Sequence, residues 1–584
     1  MLFVTQSSRV LPCAVEVNSS LVIPNDHDET IPRNKCASLI RMVCSFRRYL
    51  WLRSNHQLIS KNWQPKIFKM SASVINRELT LKQKCLEIFR TAINSVLPQN
   101  IIKNNISMEG NRLLIKKQSF PIHNNVHVAG FGKAVMGMAA AVEQILGDHL
   151  VQGVISVPLG IQKVLRLAGK EEMLLRPQTK IQVQEGAQHN LPDDNALKAA
   201  KRIHHLAEGL TENDLLLVLI SGGGSALLPA PIPPVTLEEK LYLTKQLASK
   251  GATIQELNTV RKSLSLLKGG GLARAAYPAQ VVSLILSDII GDNLEFIASG
   301  PTLPNLQSKE DSCKILSKYN LVSSMPENVK EVLSQPSTRM HQEEIQDYAH
   351  VFNFIVGSNA IALEEAKCKS ESLGYITSIL STGVSGDVTT VARLFSLLIR
   401  YLCSVLAVHG SQCAQASSLK DEMLQIIGSL QLPDFRLDSC LELLENALSS
   451  GKPLCLLAGG ETTVQLRGRG KGGRNQEMAL RVAVELHQAK SMTPRDPFAK
   501  HEIVFLSGGT DGQDGPTEAA GGFAYTEMVE NAFSEGLNVE DFLNNNDSFT
   551  FFSKFNKGAD LIMTGLTSTN VMDVQAIIIQ PKET

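Results

Sequence analysis

Paired cysteines are missing from this 584-residue chain: its ten cysteines contain no C-x-x-C pair and follow no regular spacing. That argues against a disulfide framework or a structural zinc site and for incidental thiols in a reducing compartment. An excess of one charge is missing too, since Lys plus Arg and Asp plus Glu number 57 each. No global field draws the chain to nucleic acid or to an anionic membrane, and any anion site must be local. No uninterrupted apolar run is long enough to span a bilayer. There is no H-E-x-x-H and no Ser-His-Asp spacing, and none of the thirteen histidines sits in a glycine-rich loop. Aromatics are scarce at 5%, whereas glycine, alanine and leucine are frequent, as in helix-covered parallel sheets with tight strand-to-helix turns.

Acidic residues are absent from residues 30–77, which hold Arg33, Arg41, Arg47, Arg48, Arg53 and Lys61 among others, together with both tryptophans, Trp51 and Trp63. This stretch reads either as an organelle presequence, basic and able to form an amphipathic helix, or as a solvated extension. A start at Met42 would give a mitochondrial-type leader, and one at Met70 would remove it. The expectation is a cytoplasmic protein with a mitochondrial form beginning at Met42. Residues 1–73 stand outside the fold.

What is present begins near residue 75. Residues 78–96 are amphipathic at helical spacing, with Leu81, Cys85, Ile88, Phe89 and Ile93 on one stripe. Six apolar runs then end in glycine: 126–129 into GFGKA, 215–220 into SGGGSA, 281–286 into SDIIGD, 352–356 into GSNA, 454–458 into GGET and 503–506 into SGGTDG. Helical patterns follow several of them, at 133–146 and 360–373. Short continuous apolar strands alternating with helices predict βαβ units in parallel sheets buried on both faces. The fold class expected is α/β: two α/β domains with mainly parallel sheets, a Rossmann-like N-terminal one over residues 74–450 and a C-terminal one over 451–584. Residues 404–421 read as a linker or a surface excursion before a helix over 422–430. Ligands in such folds bind where strands deliver their carboxyl ends into loops.

The GFGKA loop places Gly130 and Gly132 at the start of a helix, where free N–H groups attract anions. Lys133 follows in what reads as the first helical turn, the wrong end for a cation seeking helix stability, which marks it as a functional candidate. The loop is neither a G-x-x-x-x-G-K-[ST] phosphate loop nor a G-x-G-x-x-G dinucleotide loop, because its next glycine is Gly137. In SGGGSALLPAP, Ser221, Gly222, Gly223, Gly224 and Ser225 form a loop able to turn successive N–H groups and two hydroxyls onto a phosphate or substrate. The stretch LAGGETTVQLRGRGKGGRNQE reads as a flexible basic hairpin before a helix, with Arg467, Arg469 and Lys471 meeting phosphates or solvent. Arg474 stands apart, because two glycines precede it and a helix follows; a planar fork there suits a transferring phosphoryl group. Asp511 and Asp514, in SGGTDGQDG, suit Mg²⁺ or Asx turns. The same two readings stay open for Asp288, Asp292 and Asp547, and the end of the chain adds Thr567, Thr569 and Asn570 in TGLTSTNVMD.

Taken in chain order, GFGKA, ISGGGSALLPAP, ELNTVRKSLSLLKGGGLA, LILSDIIGD, ASGPT, LAGGETTV, GGRNQE, LSGGTDGQDGPTEAAG and TGLTSTNVMD resemble the class II glycerate kinases, their animal members above all. The resemblance runs from about residue 73 to 580. It implies two α/β domains, an active site in the cleft between them, and a need for ATP and Mg²⁺. The lysine and arginine that the family needs for catalysis correspond to Lys133 and Arg474. It also implies D-glycerate as acceptor, with 2-phosphoglycerate favoured over 3-phosphoglycerate; on the reading of the loop carboxylates above, the metal is expected on Asp511 or Asp288. Small-molecule substrates are the partners expected, with no nucleic acid and no membrane.

Two other functions compete. A nicotinamide-dependent hydroxypyruvate reductase would want the tighter G-x-G-x-x-G turn and an acidic residue about twenty positions on. A non-catalytic nucleotide or sugar-phosphate sensor would have no reason to keep both Lys133 and Arg474.

Overall fold

The computed structural model describes residues 80–335, 348–408, 414–493 and 496–582. The chain divides into two units, Met1–Glu78 and Leu79–Thr584, and the described residues fall in the second. The basic stretch of residues 30–77 and the starts at Met42 and Met70 lie outside the described residues.

The expected amphipathic helix forms over Leu81–Ser95, opened by a capping box in which Thr80 and Gln83 satisfy each other's backbone N–H groups. A small antiparallel meander follows, made of β1 (Ile106–Glu109), β2 (Arg112–Ile115) and β3 (Gln118–Pro121). The first large sheet contains β4 (Val126–Phe131), β5 (Leu150–Pro158), β6 (Ile181–Gly186), β7 (Leu215–Ile220), β8 (Gln280–Leu286) and β9 (Val351–Gly357). All six run parallel in the order β6-β5-β4-β7-β8-β9. From β4 the chain builds outward in one direction for three strands, then returns to build from β7 in the other, which is the Rossmann-like order. Every residue of β4 and of β7 is buried, as their unbroken apolar sequences require of strands covered on both faces. The order reverses between β4 and β7, and a crevice for ligand opens at such a point.

The second sheet is mixed. It consists of β10 (Ile376–Asp387), β11 (Leu454–Thr463), β12 (His501–Gly509), β13 (Gly521–Ala524), β14 (Leu561–Ile562) and β15 (Asp573–Pro581). They lie in the order β10-β11-β15-β12-β13-β14. β10 and β11 are parallel, and β15 runs antiparallel between β11 and β12. β11 and β12 therefore point the same way. Mainly parallel sheets were expected; the first sheet is wholly parallel, and in the second, chain return through β15 supplies antiparallel neighbours. The expected boundary at residue 451 also moves. β10 already pairs with β11, so the second sheet takes up the chain about at Ile376.

The described part of residues 404–421 is no linker. Helices Val388–Val408 and Ala414–Leu430 take most of that stretch, and Leu402, Cys403, Val405 and Leu419 are buried in the second domain's core. Val388–Leu406 is long and apolar enough to cross a membrane by composition, yet 72% of it is buried inside the protein. It packs on helix Arg474–Met492. Arg393 interrupts the run and pairs with Glu422 at 2.6 Å and Glu485 at 3.0 Å. The helix is a core element.

One hydrophobic core joins the two sheets. Phe89 and Ile88 share it with Leu217 and Leu284 of the first sheet and with Leu506 and Ile578 of the second. Helix Leu81–Ser95 packs on β12 and β15 and on helix Asn359–Ser372. Asn359 Nδ2 then donates to the carbonyls of Val571 and Asp573 at 2.8 and 2.9 Å, fixing the entry to β15.

Candidate active site

At the β4–β7 junction two glycine loops interlock. Gly132 has φ +148°, and a Cβ on it would overlap Ser221. Lys133 N–H donates to Gly222 O at 2.9 Å, and Ala134 N–H donates to Ser221 Oγ at 3.0 Å. Helix Val135–Leu146 begins only after Ala134, so Lys133 precedes the first turn. The N–H groups expected to greet an anion are used to tie the loops together. Gly130 is likewise a packing position, buried in β4 with no room for a side chain beside Val135 and Ile155. Lys133 itself is exposed, and its stem lies on Gly223, whose Cβ would stand 3.1 Å from Lys133 Cγ.

In the second loop Gly223 has φ +80°, a region that L side chains resist, and caps the short helical turn Gly224–Leu227. Gly224 N–H is taken by Ser221 O at 3.2 Å. Among the described residues the N–H groups of Gly222 and Gly223 meet no protein acceptor, so they are the donors left for a ligand. Ser221 is buried with its hydroxyl committed to Ala134, whereas Ser225 Oγ lies 3.0 Å from Ser299 Oγ at the loop's far end.

Arg474 opens helix Arg474–Met492, one residue earlier than expected. The preceding basic stretch is pinned rather than flexible. Arg467 and Gly468 N–H donate to Asn546 Oδ1 at 2.7 and 3.0 Å, Arg469 N–H to Asn545 Oδ1 at 3.0 Å, and Lys471 N–H to Asp547 Oδ1 at 2.8 Å. Asp547 Oδ1 thereby clamps this stretch and also accepts from Thr550 Oγ1 at 2.6 Å. The helix terminus is capped by Asp514, buried and accepting Asn475 N–H at 3.1 Å and Gln476 N–H at 2.9 Å. The anion at this terminus is thus the protein's own carboxylate. Burial pushes Asp514 up to about 6, against the pull of those N–H groups.

The Arg474 fork is occupied as well. Its Nε and Nη2 donate to Asp573 Oδ2 and Oδ1 at 2.6 and 2.9 Å, and Nη1 reaches Glu461 Oε1 at 3.0 Å. Burial alone would lower the guanidinium's pKa, but Asp573 and Glu461 outweigh it and hold the charge firmly. A phosphoryl group would meet the outer edge of the guanidinium, not the bidentate edge. Asp573 is wholly buried at the first position of β15, opposite Gly460 on one side and Gly509 on the other. The glycines expected to end β11 and β12 lie inside those strands, flanking this carboxylate.

Asp288 stands at the carboxyl end of β8, so close to Gly222 that a Cβ there would overlap its carboxylate. Burial pushes it up to about 6, Lys133 pulls it down and Glu461 pushes it up again. Asp511 Oδ1 accepts Gln513 N–H at 3.0 Å in an Asx turn. Burial and the charge of Asp573 raise it, while Arg474 and Lys133 oppose them. These couplings place Lys133, Asp288, Glu461, Arg474, Asp511 and Asp573 in one field, at the facing carboxyl edges of the two sheets. Asp292 lies in the turn after Asp288, at φ +53°. Thr567 and Thr569 hydroxyls go to the carbonyls of Thr510 and Val96 at 2.7 and 2.6 Å, and Asn570 Oδ1 accepts Met572 N–H at 2.9 Å, so this segment is structural.

Asp573 and Glu461 escaped sequence reasoning. Each sits in a motif the sequence does single out, but the partner that gives Asp573 its role is 99 residues away. No local spacing encodes that.

The comparisons with known proteins agree with this architecture. A family model described as a domain of unknown function (DUF4147) matches residues 84–334, and the MOFRL family model matches residues 454–573. A glycerate kinase of Bos taurus is 52% identical over 523 residues, covering 89% of this chain and 96% of that protein. A D-glycerate 2-kinase of Thermotoga maritima is 32% identical over 495 residues, covering 85% and 97%. The crystal structure of a Thermotoga maritima glycerate kinase superposes with a TM-score of 0.65 at 31% identity, covering 85% of this chain and 99% of that one. With its two sheets, its interlocked glycine loops and these relatives over most of its length, the chain belongs to the class II glycerate kinase family.

Proposed function

We propose that this protein transfers the γ-phosphate of ATP to D-glycerate and that the product is 2-phosphoglycerate. The observation that carries the reading is the meeting of Lys133 and Arg474 in one field from two different sheets, beside a glycine loop with two unpartnered N–H groups. Phosphoryl transfer asks for little covalent chemistry and much positioning and charge stabilisation. Lys133 and the outer edge of Arg474 neutralise the transferring group, and Asp573 and Glu461 hold Arg474 in place before substrate arrives. Gly222 and Gly223 donate to phosphate oxygens. The 2-hydroxyl is favoured by family likeness and by the printed name of the Thermotoga maritima relative.

Among the described residues no group of three or more His, Cys, Asp or Glu is arranged to hold a metal ion. Mg²⁺ bound with a nucleotide needs fewer, one or two carboxylates plus phosphate oxygens and water. Asp511 and Asp288 fit that demand, because both are carboxylates whose ionised forms are poorly compensated by the protein alone. Mg²⁺ held there would neutralise phosphate charge as it moves from donor to acceptor.

The test is a coupled ADP-release assay with ATP, Mg²⁺ and D-glycerate, with the product examined by phosphorus NMR. ADP formation dependent on glycerate and a phosphorus signal coupled to the C2 proton are expected. No ADP above background would overturn the kinase reading, and a signal coupled to the C3 protons would move the acceptor to the 3-hydroxyl.

A further inference from the structure

The block ELNTVRKSLSLLKGGGLA has no part in the chemistry described so far, yet it carries the most unusual charge cluster in the protein. Lys240, Lys262 and Lys268 are 6%, 6% and 3% exposed, and Arg261 is largely buried beside them. Their partners are mostly neutral. Lys268 Nζ donates to Ser225 O at 3.1 Å and faces Ala298 O at 3.5 Å, Lys240 Nζ donates to Leu264 O at 3.0 Å, and Arg261 Nη1 lies 3.5 Å from Asn258 Oδ1. Among the described residues the one carboxylate in reach is Glu295, 3.8 Å from Lys262 and itself 42% exposed. Buried cations without counter-charge are costly to fold, and natural proteins keep them where a bound anion completes them. Burial holds Lys268 well below the ordinary lysine range and Lys240 at about 7, and each is pushed further down by its cationic neighbours.

The cluster adjoins the proposed active site through a single loop. Gly223 rests against Lys133, and two residues on Ser225 rests against Lys268. Ser225 Oγ meets Ser299 Oγ at 3.0 Å, and Ser299 Oγ donates to Asn258 Oδ1 at 3.2 Å, so a hydrogen-bond chain runs from the loop to the helix that carries Arg261 and Lys262. The two ends of the loop differ in charge. Around Lys133 and Arg474 stand four carboxylates, Asp288, Glu461, Asp511 and Asp573, which leave those two cations for the phosphoryl group and offer the acceptor's own carboxylate no seat. Around Ser225 the buried ionisable groups are the bases Lys240, Lys262 and Lys268 with Arg261 beside them, which a bound anion would hold protonated. An acceptor that carries a carboxylate beside its hydroxyl has one favourable orientation, hydroxyl toward Lys133 and carboxylate toward Lys268.

We propose that Arg261, Lys262 and Lys268, with Ser225 and Ser299 at their edge, form the seat of the acceptor's carboxylate and so select a 2-hydroxy acid over an uncharged polyol. This rests on the reading of the protein as a glycerate kinase.

The experiment compares the full chain with its Lys268→Met and Arg261→Gln variants in the ADP-release assay, using D-glycerate and glycerol as acceptors. The KM for D-glycerate is expected to rise tenfold or more with the KM for ATP within twofold. The kcat/KM preference for D-glycerate over glycerol should shrink at least tenfold. Arg261→Lys, which keeps the charge, should restore most of the D-glycerate affinity. A second measurement uses D-glycerate alone, without nucleotide. The ligand-free Lys268→Met protein should melt at or above the wild-type temperature, since it loses an unpaired buried cation, and D-glycerate should stabilise the wild type but not the variant. An unchanged KM for D-glycerate in both variants overturns the proposal, as does a raised KM for ATP alone, which would assign the cluster to nucleotide phosphate. If the wild type releases no ADP with D-glycerate, the kinase reading fails on its own, and the melting experiment still decides whether the cluster binds a carboxylate.

Discussion

Arg474 is held by a geometry that another cation of the same charge does not reproduce. It answers three carboxylate oxygens at once, two on Asp573 and one on Glu461, and only a planar fork does so while leaving an edge toward the cleft. Arg474→Lys is expected to lower kcat a hundredfold or more, about 3 kcal/mol of lost transition-state stabilisation, with the KM for ATP changed severalfold at most. Steady-state kinetics check it; a change confined to ATP affinity would make Arg474 a ground-state binder. Lys133→Met should cost a similar factor with an unchanged melting temperature, because Lys133 is exposed and its stem is retained. Asp514 gives a pH signature. Its folded pKa is raised from 3.8 to about 6 by burial, so the folded state binds the extra proton and its contribution to stability is full below pH 4 and lost as pH rises through 6. The stability of the wild type relative to Asp514→Asn should therefore fall by about 3 kcal/mol between pH 4 and pH 7, measured by chemical denaturation at each pH.

At the scale of elements, the glycine-rich loops do two different jobs that look alike in sequence. In SGGGSA the N–H groups of Gly222 and Gly223 meet no acceptor among the described residues, while Gly224 and Ser221 hold the turn together. In SGGTDG and LAGGET, Gly508, Gly509, Gly459 and Gly460 stay within strands and make room for Phe89, Asn359 and the backbone of Val384, with Gly460 and Gly509 opposite Asp573. Glycine runs report close approach but not what approaches. Gly223→Val tests the first case. A β-branched residue at φ +80° whose Cβ would stand 3.1 Å from Lys133 is expected to displace Lys133 and remove the loop's donors. Calorimetry should show ATP or D-glycerate affinity down tenfold or more in a protein whose far-UV spectrum is native. Undiminished affinity for both would reduce the loop to a turn.

Over the whole molecule, the core that joins the two sheets predicts how it unfolds. Phe89 is fully buried and packs on Gly508 of β12 from a helix that precedes the first sheet in sequence. Phe89→Ala should cost about 3–5 kcal/mol and lower the melting of both sheets together, seen as one shifted calorimetric transition. Two transitions, only one of them shifted, would show that the sheets melt separately. The basic stretch of residues 30–77 makes the opposite expectation. Removing residues 1–69 should leave specific activity and melting temperature within error, a fluorescent fusion from Met42 should enter mitochondria and one from Met70 should stay in the cytosol. Cytosolic fluorescence from both would end the presequence reading, and lost activity on truncation would mean that the segment packs on the enzyme.

The α/β class, the six apolar strands with glycine at or near their carboxyl ends and the helix from Leu81 are local properties, written in apolar periodicity. Sequence by itself determined these. Tertiary structure decided the rest. The mixed pairing of the second sheet follows from β15 inserting between β11 and β12, strands distant in sequence. The caging of Arg474 depends on Asp573, 99 residues on, which β15 delivers between two glycines. The buried cations at Lys240, Arg261 and Lys268 read in sequence as ordinary solvated charges. Packing, and not composition, withdrew them from water and left them facing the active-site loop, because charge pairing and burial are set by what the folded chain brings together across many residues.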